Sequence, residues 1–154
     1  MKKTILTLCL ALFAIVSFSQ PAFQDKNLNA AYVKYIQLKD ALVASDLVKT
    51  KKAAGELQKS LAAVSDSKKA SELTAMLATS ADLAAQRKVF SSLSNEMATL
   101  VKGGKLSSGT LYLEYCPMAN NNEGAYWLSN EKEIKNPYFG DMMLKCGSVK
   151  ETIQ

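Results

Sequence analysis

Two short stretches near the C-terminal end gather the side chains best suited to chemistry: Cys116-Pro117-Met118 and Met142-Met143-Leu144-Lys145-Cys146. The chain has no histidine. Thiolate and thioether sulfur without imidazole form a soft donor set, which suits Cu(I) or a similar soft ion better than Zn(II), Fe(II) or Mg(II). Cys116 and Met118 lie two residues apart, so an extended backbone turns both to one face. Met142 and Met143 precede Cys146 by four and three residues, so on a helix one of them shares the cysteine's face. The candidate metal ligands are therefore Cys116, Met118, Met142, Met143 and Cys146, with Pro117 restricting the first pair. Trp127 either covers the ion or fills a small core.

The same residues have plainer readings. Cys116 and Cys146 can form a disulfide that closes a loop of about 30 residues, which would stabilise the fold by about 3 kcal/mol. The methionines can be gap-filling core residues, a reading that fits Met76 and Met97 on the helical seam best. The two cysteines can also be buried, reduced and without function.

Position in the cell weighs on this choice. Residues 1–19 have the pattern of a secretory signal peptide: Lys2 and Lys3, then an apolar run from Ile5 to Phe18, then Ser17-Phe18-Ser19 with small residues at a cleavage site after Ser19. The run is shorter than the roughly 20 residues a membrane span needs, and Cys9 sits inside it rather than at a lipidation site. Removal of the leader leaves Cys116 and Cys146 as the only cysteines, in a periplasmic or secreted protein without a membrane span. Disulfides persist in such a compartment. The net charge of +5 falls to +3 without Lys2 and Lys3. The remaining lysines are scattered among acids on helical segments, which excludes a phosphate-tracking stripe and nucleic-acid binding.

The elements that must position the sulfurs follow from composition and periodicity. About 135 mature residues fit one domain, with 20–26 as a linker and 27–154 as the folded unit. Residues 22–102 contain no proline and one glycine, Gly55, and are rich in Ala, Leu, Lys, Gln and Ser, which favours long helices. Leu28, Ala31, Tyr32, Tyr35, Ile36 and Leu42 mark the face of a first helix, residues 27–44. Asp46 caps a second that runs to Val64, with Leu47, Thr50, Ala54, Leu57, Leu61 and Val64 as its stripe. Ser65-Asp66-Ser67 is a polar break. The seam Leu73, Met76, Ser80, Leu83, Gln86, Phe90, Leu93, Met97, Leu100 continues to Lys102. One helix of about 36 residues would be about 54 Å long, so a break is expected at Thr79-Ser80 with Ser80 as the new cap. The expected fold class is mainly α: an up-down four-helix bundle with a small C-terminal β-hairpin or loop segment, residues 103–154, carrying the Cys and Met residues. In that segment 110–115 and 124–129 read as paired strands. Asn120-Asn121-Asn122-Glu123-Gly124 is the turn between them. Tyr138 to Lys145 reads as a short helix ended by Gly147, and the segment is expected at one end of the bundle.

The strings Tyr115-Cys116-Pro117-Met118-Ala119, Trp127-Leu128-Ser129, Asn136-Pro137-Tyr138-Phe139-Gly140 and Met143-Leu144-Lys145-Cys146-Gly147, with Arg87, Phe90, Leu93 and Ser94 upstream, resemble the bacterial domain-of-unknown-function family 3347. The resemblance spans about Asn27 to Ile153. It implies a small exported protein related to C-terminal extensions of adaptor subunits in copper/silver efflux systems. The implied role is a periplasmic partner or carrier in soft-metal handling. Tyr115-Cys116-Pro117-Met118 is also similar to a motif of other heavy-metal-binding domains, which continue with His where this chain has Ala119.

Three function classes follow for comparison with these residues. A non-catalytic binding protein for Cu(I) or Ag(I), handing the ion to an efflux adaptor or another envelope protein, accounts for the sulfur cluster. A disulfide-stabilised interaction module without metal is the alternative. An enzyme has no support: there is no His-based dyad, no CxxC and no Gly-rich phosphate loop, and Asp40, Asp46 and Glu56 read as caps and surface charges.

Overall fold

The structure, a computed structural model, describes residues 20–154. The expected leader, with Cys9 and the cleavage site after Ser19, lies outside the described residues. Among those described, no helix is long and apolar enough to cross a membrane.

Four long helices arise where the apolar periodicity places them. They are α1 (Lys26–Val43), α2 (Leu47–Leu61), α3 (Lys68–Thr79) and α4 (Leu83–Gly103). Asp25 opens α1 by accepting from the Asn27 and Leu28 backbone N–H groups at 2.8 and 3.3 Å. Asp46 opens α2 by accepting from Lys49 N–H at 2.9 Å, satisfying donors that a helix start leaves free. The break between α3 and α4 falls at the expected place, but its chemistry differs. The Ser80 hydroxyl donates backward to the Met76 carbonyl at 2.9 Å, so Ser80 finishes α3. Asp82 caps α4 instead, accepting from Ala85 N–H at 2.8 Å. Met76, expected on the seam, is 56% exposed, whereas Met97 is fully buried.

The expectation of an up-down four-helix bundle with a hairpin appendage is overturned. The fold is mainly α, but the described residues, 54% of them helical, form five helices and two small antiparallel sheets. The first sheet pairs β1 (Ala22–Phe23) with β2 (Leu106–Ser108). Residues 20–26, expected as a linker, thus carry a strand whose Phe23 is buried, and the Gln24 N–H donates to the Lys105 carbonyl at 2.9 Å. The second sheet has the order β4-β3-β5, from β3 (Leu111–Cys116), β4 (Ala125–Ser129) and β5 (Ser148–Ile153). The fifth helix is the short turn α5 (Ala119–Asn122) between β3 and β4. Asn120, Asn121 and Asn122 there have φ of 51°, 57° and 69°, a left-handed region that Asn tolerates better than other residues with side chains.

Packing explains why the bundle does not close on itself. α1 packs on α2, α2 on α3 and α3 on α4, but α1 and α4 meet only sparsely, and β4 lies against both. An aromatic ladder fills this seam. Phe23 meets Tyr32, Tyr32 stacks on Tyr35, Tyr35 on Phe90, and Tyr138 bridges Phe90 to Trp127, with centroid separations of 5.4 to 6.5 Å. The Tyr35 hydroxyl ties the layers together, 2.7 Å from Ser94 Oγ on α4 and accepting from the Leu128 N–H of β4 at 3.1 Å. The sheet is therefore a wall of the core, not a cap on the bundle's end.

Candidate functional site

Cys116 is the last residue of β3, where it pairs with Ala125 of β4. Its side chain is fully buried. Cys146 arrives on the loop leading into β5 and is partly exposed. Both cysteines are free, and their side chains lie close enough to influence one another. The neighbouring Cys116 side chain and burial push the Cys146 thiol up to about 11, and the nearby Met118 backbone N–H acts in the opposite direction. The juxtaposition brings together two sulfurs separated by 30 positions of chain.

The loop that delivers Cys146 is not the expected helix over 138–145. It contains only a single 3-10 turn, Gly140–Met142. Gly140 has φ +57°, and a Cβ there would sit 2.5 Å from Ser45 Oγ. Met143 has φ −147° and ψ 50°, far from helical values. Two residues shape the loop, Asn136 and Gly147. Asn136, fully buried, donates from Nδ2 to the Cys146 carbonyl at 2.7 Å, and its Oδ1 accepts from Tyr138 N–H at 2.7 Å. Gly147, at φ +138°, lets the chain pass Trp127 and the Tyr115 carbonyl, both of which a Cβ would meet at 2.9 Å. The Asn-Pro dipeptide and the Gly after Cys146 were visible signals of a turn, but not of a clamp on the thiol.

The methionines are placed unequally. Met118 is 47% exposed, and its backbone N–H lies near the Cys146 sulfur. Met142 is 75% exposed, so its thioether faces solvent. Met143 is partly buried, and its carbonyl accepts from Cys146 N–H at 3.0 Å. Among the described residues no three His, Cys, Asp or Glu side chains converge as a metal-holding group. The two cysteines, with thioethers near them in the chain, are soft donors.

β3 carries a second feature. Glu114, two positions before Cys116 and so on the same face of the strand, is fully buried. Burial pushes its carboxyl up to about 8, with the Lys39 ammonium and the Trp127 indole N–H pulling down and Glu131 adding to the rise. Trp127 is its cross-strand neighbour, close enough to favour the charged form without closing a full hydrogen bond. Neither carboxylate oxygen nor the indole nitrogen has a hydrogen-bond partner among the described residues. Lys39, 4% exposed, pairs with Asp40 at 2.7 Å. Sequence alone offered no signal here beyond an acid in an otherwise apolar strand.

The family model described as protein of unknown function (DUF3347) matches residues 31–109, just over half of the chain. The chain belongs to this family. The matched stretch contains most of α1, all of α2, α3 and α4, and β2; it stops before Cys116. Family membership therefore rests on the helical scaffold, whereas the resemblance drawn from the sulfur-bearing strings lies beyond the matched region. No curated protein and no solved structure matches the chain.

Proposed function

We propose that the protein is an exported, non-catalytic binding protein whose Cys116/Cys146 dithiol takes a soft monovalent ion, Cu(I) or Ag(I), for sequestration or for delivery to a heavy-metal efflux adaptor or another envelope protein. The observation that carries this reading is the proximity of two free thiols from separate stretches of chain, with the Met118 backbone near the Cys146 sulfur. A soft ion bound between them is held by thiolates, so binding releases protons and weakens as pH falls. Met118 and Met143 are the thioethers nearest along the chain; Met142, mostly exposed, is the spare. The leader pattern of residues 1–19 supports export.

The same proximity favours a second reading, in which the two thiols are joined as a disulfide and the module binds a partner protein without metal. Cu(I) competition against a chromogenic chelator tests the first reading on reduced protein. Replacing both Cys116 and Cys146 with Ser should remove most of the affinity, and undiminished competition would reject the soft-ion site. Thiol titration of protein isolated without reductant tests the second: two thiols that react only after reduction mean a disulfide, and two that react at once mean an open pair.

A further inference from the structure

The two thiols of the pair differ in access. Cys116 is fully buried at the end of the central strand β3, within a sheet paired on both sides. It lies close enough to Tyr138, itself 5% exposed, to influence the phenol. Cys146 is partly exposed and sits on a loop anchored by Asn136 and by one turn hydrogen bond to Met143. Two exposed thioethers lie near it in the chain or close to its sulfur, Met118 at 47% and Met142 at 75%, beside the exposed Lys145 ammonium. A partner therefore meets Cys146, Met118 and Met142 from outside, and meets Cys116 only through Cys146.

We propose that Cys146 is the exchange thiol of this site and Cys116 the closing thiol, so that ions pass to and from a partner through Cys146 alone. This inference rests on the soft-ion reading above. The partner's chemistry follows from the exposed sulfurs: a protein that presents Cu(I) or Ag(I) on accessible thiolates or thioethers. In the transfer, the Cys146 sulfur loses its proton and forms a bond to the ion while a partner sulfur still holds it. One partner sulfur then leaves. Cys116 loses its proton, bonds to the ion, and the last partner sulfur departs. The ion keeps its oxidation state throughout, and the two protons given up by Cys146 and Cys116 go to the departing partner thiolates, or to solvent where the partner sulfurs are thioethers.

Two measurements test the order. Reduced, folded protein is treated with iodoacetamide and mapped by mass spectrometry. The expected product carries the label on Cys146, with Cys116 labelled only after unfolding; equal or faster labelling of Cys116 overturns the proposal. This readout uses the unsubstituted protein, so it does not depend on how variants fold. In the second, Cu(I) is offered as its bicinchoninate complex and the loss of colour is followed by stopped flow. Cys116→Ser, which keeps the exchange thiol, should remove Cu(I) at a rate within about threefold of the unsubstituted protein but release it quickly, because changes within one interface act mainly on dissociation. Cys146→Ser should slow uptake by about tenfold or more, since the remaining thiol lies in the core. Equal uptake by the two variants overturns the proposal. Unsubstituted protein that takes up no Cu(I) would instead remove the soft-ion function, a result distinct from the order of alkylation, which is read without metal.

Discussion

Replacing Asn136 with Ala should loosen the sulfur site and the fold together. The side chain makes two hydrogen bonds of 2.7 Å, from Nδ2 to the Cys146 carbonyl and from the Tyr138 N–H to Oδ1. The backbone of residue 136 makes two more, its N–H to the Leu144 carbonyl at 2.8 Å and its carbonyl from Gly140 N–H at 3.0 Å. Alanine keeps the backbone pair and deletes the side-chain pair. The stranded Tyr138 N–H is buried, and leaving such a donor unpaired costs about 1–3 kcal/mol. The Cys146 carbonyl is only partly buried and regains some water, so its loss is worth about 1 kcal/mol. The sum, about 2–4 kcal/mol, is to be read from urea unfolding of reduced protein at constant m-value; for a domain of this size it lowers Tm by about 10 °C. The same change should slow oxidant-driven Cys116–Cys146 bond formation, because the loop no longer holds Cys146 beside the end of β3. A loss below about 0.5 kcal/mol, within the range of ordinary surface substitutions, together with an unaltered oxidation rate would refute the assignment of Asn136 as the clamp.

The buried Glu114 carboxyl sets a pH dependence. Its folded pKa of about 8 lies above the unfolded value of about 4.3, so between those limits the folded state binds more protons and stability falls as pH rises, by up to about 1.4 kcal/mol per unit. Glu114→Gln should therefore match the unsubstituted protein near pH 5, exceed it near pH 8, and flatten the profile between; parallel profiles in urea titrations at the two pH values would contradict the buried, unpaired carboxyl. Gly147→Ala places a methyl 2.9 Å from Trp127 Cη2 and from the Tyr115 carbonyl at a φ of +138°. The expected result is a destabilisation of about 2–4 kcal/mol with faster iodoacetamide labelling of Cys116, and a stable variant with Cys116 still protected would show that the loop has another way past the sheet.

The helical half was legible in the sequence because its signals are local. Period-3.6 apolar stripes, Asp caps and the absence of proline act within a few residues, and Leu28, Tyr32, Tyr35, Leu57, Phe90 and Leu93 are buried as their spacing requires. The β3–β4 hairpin was legible for the same reason, since three asparagines and Gly124 between two aromatic runs leave little choice but a turn. β5 was not, because most of its side chains are exposed and its apolar pattern is weak; it exists as a strand because β3 offers it an edge. Ser80 and Asp82 compete within three residues for one cap, and the choice depended on where α3 ran out of helix.

The types of the reactive atoms were determined by the sequence alone: two thiols, thioethers beside them and no imidazole. Their arrangement was not, since the distance between sulfurs 30 residues apart depends on how the sheet closes the seam between α1 and α4 and on where Asn136 pins the loop. Burial also belongs to the tertiary structure. A carboxylate on a short strand has no fixed pKa until the layers on either side remove its water, which is why Glu114 and the inequality of Cys116 and Cys146 emerge only once the chain is folded.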